Sequence, residues 1–317
     1  MGRTMERTPV DSKRARLWHD YYRCLERVGQ PRASLLRSAP ERESAYVLGR
    51  IAARRPGLAL PMRARVFYGP RLRVTAPESV SMALVRYGIF EEGLTGVLLA
   101  YLAEGACFYD VGAHYGYFTL LASLLVGSTG EIHSFEPTPS TYRILGQNLG
   151  SVRARNVRTN PLAVWNASDV RLELQDMGGA HSSLNSLFQP RSEAARAAQH
   201  SLVPVRTTTL DDYVARGNRP PDLLKVDAES AEYQVIEGAR GILTRARPLV
   251  TLEIGDMDVA GARSTLEIID EMARLGYTPF EWRENALAPH QRREKYEYDN
   301  LVFVPGERGS VVGADRA

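Results

Sequence analysis

Short apolar runs that alternate with helix-like stretches through the middle of the chain leave it few ways to fold. The runs lie at 107–111, 131–136, 157–164, 223–227 and 249–254, and the helix-like stretches between them at 115–125, 140–149, 210–215 and 231–243. A strand, a helix and a next strand in the same direction form a βαβ unit, whose crossover lays parallel strands into one sheet covered on both faces. The pattern predicts an α/β fold with a doubly wound, mostly parallel sheet. A helix at 264–275, a strand at 277–283 and a last run at 298–304 predict an antiparallel hairpin at its edge. Residues 171–206 break the alternation with the loop Gly178-Gly179-Ala180-His181-Ser182-Ser183 and a basic, alanine-rich piece around 191–196, an insertion that can serve as a lid.

Residues 1–75 read differently, as a helical N-terminal extension, with helix-like stretches at 12–28 and 39–55 divided by Gly29-Gln30-Pro31. In the first stretch Leu17, Tyr21, Tyr22, Leu25 and Val28 follow a helical period, so one face meets the core or a second subunit, which admits a homodimer. An extended stretch at 63–75 and a helix-like run at 90–102 lead into the main domain, taken as 76–306, and 307–317 reads as a flexible tail.

At 317 residues, 44% hydrophobic and 24% charged, the chain has the composition of a folded globular protein, which excludes disordered, collagen-like and coiled-coil classes. The longest apolar runs, such as 97–103 and 120–126, fall far short of the 18 or so residues that cross a bilayer. The amino terminus lacks the apolar core of a secretory signal, so a cytoplasmic location and no membrane partner are expected. Cys24 and Cys107 are too few for a disulfide framework or a metal cluster. A net charge of +3 gives no broad field to attract nucleic acid.

Residues 108–116, Phe-Tyr-Asp-Val-Gly-Ala-His-Tyr-Gly, form a strand that runs into a glycine turn and then a helix. Ligands of open α/β sheets sit outside the carboxyl ends of the strands, and this first turn is the usual place. Gly112 lets the backbone turn tightly and approach a ligand, and Gly116 lets the helix pack near the strand. The spacing is not Gly-x-Gly-x-x-Gly, so the dinucleotide fingerprint is absent. Glu136 ends the next strand 24 residues beyond Gly112, near the roughly 20 expected of an acid that grips a ribose diol. Asp110 adds a second anion, and neighbouring carboxylates suit a cationic or hydroxyl-rich ligand better than a phosphate.

Four blocks in order carry a resemblance that covers residues 88–304. Asp110-Val-Gly-Ala-His-Tyr-Gly-Tyr resembles the first motif of the FkbM-type family of S-adenosylmethionine-dependent methyltransferases, and Ser134-Phe-Glu-Pro-Thr-Pro its second. Thr209-Leu-Asp-Asp with Leu224-Lys-Val-Asp-Ala-Glu-Ser-Ala-Glu resembles the third, and Leu252-Glu-Ile the fifth strand. The resemblance implies a Rossmann-like class I methyltransferase fold. It also implies S-adenosylmethionine as donor and S-adenosylhomocysteine as product, held by Asp110, Gly112, Ala113, His114, Tyr115, Gly116, Glu136, Ala163 and Asp227. The implied reaction is O-methyl transfer to a hydroxyl of a small natural product or sugar, as in secondary metabolite biosynthesis. Two positions depart from the family: His114 stands where asparagine is usual, both being tolerant of positive φ, and Ser230 stands where glycine is usual and could cap a helix instead.

Such a transfer needs the acceptor oxygen in line with the methyl group and a base for its proton. Asp227, Glu229, Glu253 and His181 are the candidates. Leu223, Lys225 and Asp227 share one side of their strand, so Lys225 can hold Asp227 in a salt bridge, as positioner or as a structural pair. Glu229 and Glu232 begin a helix, where the dipole favours acids in any case. Glu253 is a charge in an apolar strand, costly to bury without purpose. An imidazole can serve as a general base, which makes His181 a candidate against the plain reading of a solvated loop histidine. No His or Cys cluster marks a metal centre, which leaves a divalent ion on oxygen ligands open and no metal ligand assigned. An RNA-modifying methyltransferase that grips phosphates through N-terminal arginines is disfavoured by a total of three lysines and the lack of an aromatic stacking motif. A catalytically silent cofactor-binding scaffold is disfavoured by the retained acids. The expected partner is a small-molecule or sugar acceptor, not nucleic acid.

Overall fold

The computed structural model describes residues 11–55, 58–188, 201–255 and 261–308. The basic piece at 191–196 and tail residues 309–317 lie outside the described residues, whereas 306–308 form a single 3-10 turn.

The N-terminal part folds as helices α1 (Ser12–Leu25), α2 (Arg32–Ser38) and α3 (Pro40–Ala52), followed by the hairpin β1 (Leu60–Arg65) and β2 (Arg71–Ala76). The stretch expected to be singly extended doubles back because Gly69 adopts φ +115° and Val66 N–H bonds Pro70 O. Next come α4 (Ser79–Tyr87) and α5 (Glu92–Tyr101). Asp11 caps α1 by accepting from Arg14 N, and the face that α1 buries carries Arg14, Leu17, Tyr21 and Cys24. Tyr22 and Val28, expected on that face, are exposed. The buried Arg14 guanidinium donates to Leu99 O and, at 2.8 Å, to Leu102 O, so a cation closes the carbonyl end of α5.

Parallel strands β3 (Cys107–Val111), β4 (Glu131–Phe135) and β5 (Val157–Asn160) alternate with α6 (Tyr117–Val126) and α7 (Pro139–Val152). The expected third strand, 157–164, breaks at Pro161, which has no N–H to give a ladder. Its remainder is β6 (Ala163–Val164), which leaves the main sheet and pairs with β8 (Ser201–Thr208), itself antiparallel to β7 (Arg171–Asp176). The insertion is therefore built on a small second sheet.

The chain returns as α8 (Leu210–Ala215), β9 (Leu223–Val226), α9 (Glu232–Glu237), α10 (Arg240–Arg245) and β10 (Leu249–Ile254). The single helix expected at 231–243 divides because a Cβ on Gly238 would lie 2.1 Å from Trp165 O, while the Asp211 carboxylate accepts from Gly241 N and Ile242 N and starts a new helix. After α11 (Thr265–Arg274), strands β11 (Tyr277–Arg283), β12 (Ala286–Pro289) and β13 (Asp299–Pro305) complete the eight-stranded order β12-β11-β13-β10-β9-β3-β4-β5. The edge hairpin is β11–β12, and β13 inserts antiparallel between β11 and β10. No helix among the described residues is long and apolar enough to cross a membrane.

From β3 the chain steps to β4 and β5 on one side, then crosses to β9 and β10 on the other. This reversal opens a crevice at the carboxyl ends of β3 and β9. Cys107, Tyr109 and Val111 face one apolar core and Phe108 the other, the alternation a strand requires.

Removing the Arg14 guanidinium strips two buried carbonyls of a charged donor, so Arg14→Met is expected to lower stability by roughly 2–4 kcal/mol in urea denaturation. Unchanged stability would show that α1 docks without it.

Candidate active site

The turn after β3 is shaped by three positive-φ residues: Gly112 at +75°, His114 at +48° and Gly116 at +88°. A Cβ on Gly112 would stand 1.8 Å from Asp227 O, so the ends of β3 and β9 meet with room for glycine alone. Gly112 N and Ala113 N both donate to Phe135 O at 3.0 Å. From the end of β4 the Glu136 carboxylate accepts His114 N at 3.0 Å and Thr138 N at 2.9 Å, which fixes it at the rim of the turn. Burial pushes the Glu136 carboxyl up to about 7 against the downward pull of those bonds.

Lys225 lies fully buried beneath the turn. Its ammonium donates to Val111 O at 3.3 Å, Gly112 O at 3.1 Å and Asp227 Oδ2 at 3.1 Å, and stands 3.4 Å from Asp110 Oδ1. Burial alone would lower its proton affinity, but Asp227 and Asp110 hold it above the ordinary lysine value. Asp110, anticipated as a ligand-facing anion, sits behind the cavity with Oδ2 accepting from Thr119 Oγ1 at 2.5 Å; it serves Lys225. Gly116 also lies behind, where a Cβ would press within 2.6 Å of Leu145 Cδ1.

A cavity of about 360 Å³ opens over the strand ends, within the size range of small-molecule sites. Gly112 to Tyr115, Glu136, Ala163 of β6, Asp227, Glu229 and Glu253 all line it. His181 is exposed and outside this lining, but the 3-10 turn Ser182–Leu184 that follows it covers the cavity. Ser182 Oγ lies 2.9 Å from both His114 Nε2 and Tyr115 Oη, which ties the covering loop to the turn. The hydroxyl of Ser182, not the imidazole of His181, is the polar group this loop brings to the cavity. Burial pushes the His114 imidazole below its usual value.

Glu229 and Ser230 adopt φ +49° and +79°, so Ser230 does not cap the helix as the sequence allowed. Ala231 precedes α9, and Glu232 Oε1 accepts Ala228 N at 2.9 Å, a structural use of that acid. The positive φ gives a reason for the glycine usual in the family at Ser230. Burial and then Asp227 push Glu229 and Glu253 well above the carboxylate range. Sequence reasoning missed a third acid beside them: Glu91, just before α5, brings a carboxylate oxygen within 4.8 Å of those of Asp227 and Glu253. From sequence alone Glu91 has no assigned role, and nothing in its spacing points to strands far along the chain.

Lys225→Met leaves Asp110 and Asp227 buried without a cation and is expected to cost about 3–5 kcal/mol in chemical denaturation. Adding Asp110→Asn should recover part of that loss; a double variant as unstable as the sum of the singles would break the coupling.

The family model of the methyltransferase FkbM domain matches residues 110–279. Among solved structures the chain is similar to a methyltransferase FkbM from Methylobacillus flagellatus KT, with 13% identity and a TM-score of 0.39 over 62% of this chain. It spans 43% of that protein's length. It is also similar to a SAM-dependent O-methyltransferase from Thermotoga maritima, with 12% identity and a TM-score of 0.37 over 81% of each chain. A rRNA methylase from Streptococcus thermophilus has 10% identity and a TM-score of 0.36, over 64% of this chain and 88% of that one. No curated protein matches. The family match spans more than half of the sequence, and the chain belongs to the FkbM family of S-adenosylmethionine-dependent methyltransferases.

Proposed function

We propose that the chain is a cytoplasmic O-methyltransferase of secondary metabolism that methylates a hydroxyl of a small natural product or sugar, with 76–306 as the catalytic domain and 1–75 as a docked extension. The observation that carries this reading is that one cavity is lined both by Glu136 beside the glycine turn and by Asp227, Glu229 and Glu253. The residues fit the donor. Gly112 leaves bare backbone for the ligand to approach, and Glu136 is held by two N–H groups with lone pairs to spare for ribose hydroxyls. Ala113, His114, Tyr115 and Ala163 complete the donor's walls, and a sulfonium's positive charge favours the ionised form of the acids in the same cavity. The bound donor supplies an electrophilic methyl carbon.

The chain's own residues do the rest. Asp227, pinned by Lys225, positions the donor and acceptor; holding both in line is worth several kcal/mol of barrier. Glu229, fixed in its left-handed turn and lining the cavity, takes the acceptor's hydroxyl proton once the donor's sulfonium charge favours its ionised form. The Ser182 loop excludes water from the same space. His181 has no part in this chemistry, being outside the cavity.

Labelled S-adenosylmethionine incubated with hydroxyl-bearing natural products and sugars should transfer label to one of them. Label recovered only in added RNA would overturn the small-molecule reading. Glu136→Ala should weaken S-adenosylhomocysteine binding roughly ten- to a hundredfold by calorimetry. Protons compete with the ribose for Glu136, so wild-type affinity should fall as pH drops below about 7, and the Ala variant should lose that slope. Glu229→Gln should keep cofactor affinity and cut turnover about a hundredfold or more; full turnover would remove Glu229 as the proton acceptor.

A further inference from the structure

Glu91, Asp227 and Glu253 come from the start of α5, the end of β9 and β10, and one carboxylate oxygen of each lies within 4.8 Å of the others. An acidic cluster alone is common, but this one has a second feature. Among the described residues Glu91 Oε2 is buried with no partner in hydrogen-bond geometry, while Oε1 accepts from Tyr298 Oη at 2.5 Å and the Asn300 side chain also acts on the carboxylate, so it is oriented with one oxygen unused. A buried carboxylate oxygen left this way is destabilising unless something positive meets it.

The nearby protein charge does not supply that partner. Among the described residues the one ion pair made by these three acids is that of Asp227 with Lys225, at 3.1 Å. Lys225 already spends its ammonium on Val111 O, Gly112 O and Asp227 Oδ2.

We propose that Glu91, Asp227 and Glu253 form a binding site for one divalent cation of the Mg²⁺ or Mn²⁺ type. Three carboxylate oxygens are hard donors of the kind these ions select, and water completes the octahedron. Asp227, Glu253 and Tyr298 line the main cavity, while Glu91 and Tyr298 line a second cavity of about 480 Å³ on the far side of Tyr298 and Phe90. An acceptor hydroxyl in the main cavity that met such an ion would part with its proton more readily. The site is independent of the donor reading, since it takes the ion with no nucleoside ligand present.

The test is Mn²⁺ binding to the purified full chain at neutral pH, followed by the electron paramagnetic resonance signal of free Mn²⁺. Wild type should bind one ion per chain, displaced by excess Mg²⁺, and Mn²⁺ should raise its thermal midpoint. Glu91→Gln and Glu253→Gln should each weaken binding roughly tenfold or more and lose the thermal shift. Tyr298→Phe, which keeps all three carboxylates, should bind within a few-fold of wild type. No binding by wild type up to about 1 mM Mn²⁺, or equal binding by both Gln variants, would overturn the site. Should neither Gln variant fold, a wild-type thermal midpoint that Mn²⁺ does not move would overturn it by itself.

Discussion

One buried ammonium organises the centre of this molecule. Lys225 sits where β3 and β9 run side by side, and its hydrogen bonds reach two carbonyls of the first strand's end and a carboxylate of its own strand. A lone charge at that depth would cost several kcal/mol, so it is tolerable only because Asp110 and Asp227 flank it and every donor finds an acceptor. The positive-φ turn at Gly112, the placement of Asp227 and the meeting of the two strand ends share this one anchor.

The rest of the site is arranged around that anchor by topology. The reversal of strand order brings the carboxyl ends of β3, β4, β9 and β10 to one crevice, and each ends in an acid or a glycine turn. The first two strands deliver the glycine turn and Glu136, and the next two deliver the carboxylates. Two of the latter keep their protons far more tightly than a solvated acid, because burial and mutual repulsion both disfavour ionisation.

Local signals in the sequence were enough for the strands of the parallel core, the glycine turn, Glu136 and the Lys225–Asp227 pair, since each follows from period, spacing or strand alternation. Features that depend on distant segments were not legible. Glu91 reaches the acids of β9 and β10 only through the packing of α5 against the sheet, and its own neighbourhood looks like a plain helix start. The break at Pro161 was written in the sequence, yet the apolar residues on either side masked it as one strand. Ser230 carried the opposite lesson: serine reads as a helix cap, but the backbone there turns left-handed, a conformation composition does not announce. Tyr22 shows the limit of periodicity, which marks a stripe wider than the neighbour that covers it.

The early exit of the chain at Pro161 has a lasting effect on what lies beyond it. Asp169 N–H bonds Thr207 O and Thr207 N–H bonds Val170 O, so the whole excursion to β8 is clamped at its base beside the main sheet. A clamped stem behaves as a graft point. Residues gained or lost outside it would cost closure entropy that grows only with the logarithm of length, leaving the crevice beneath untouched. Selection can thus remodel the roof over an acceptor without renegotiating the foundation that binds the donor.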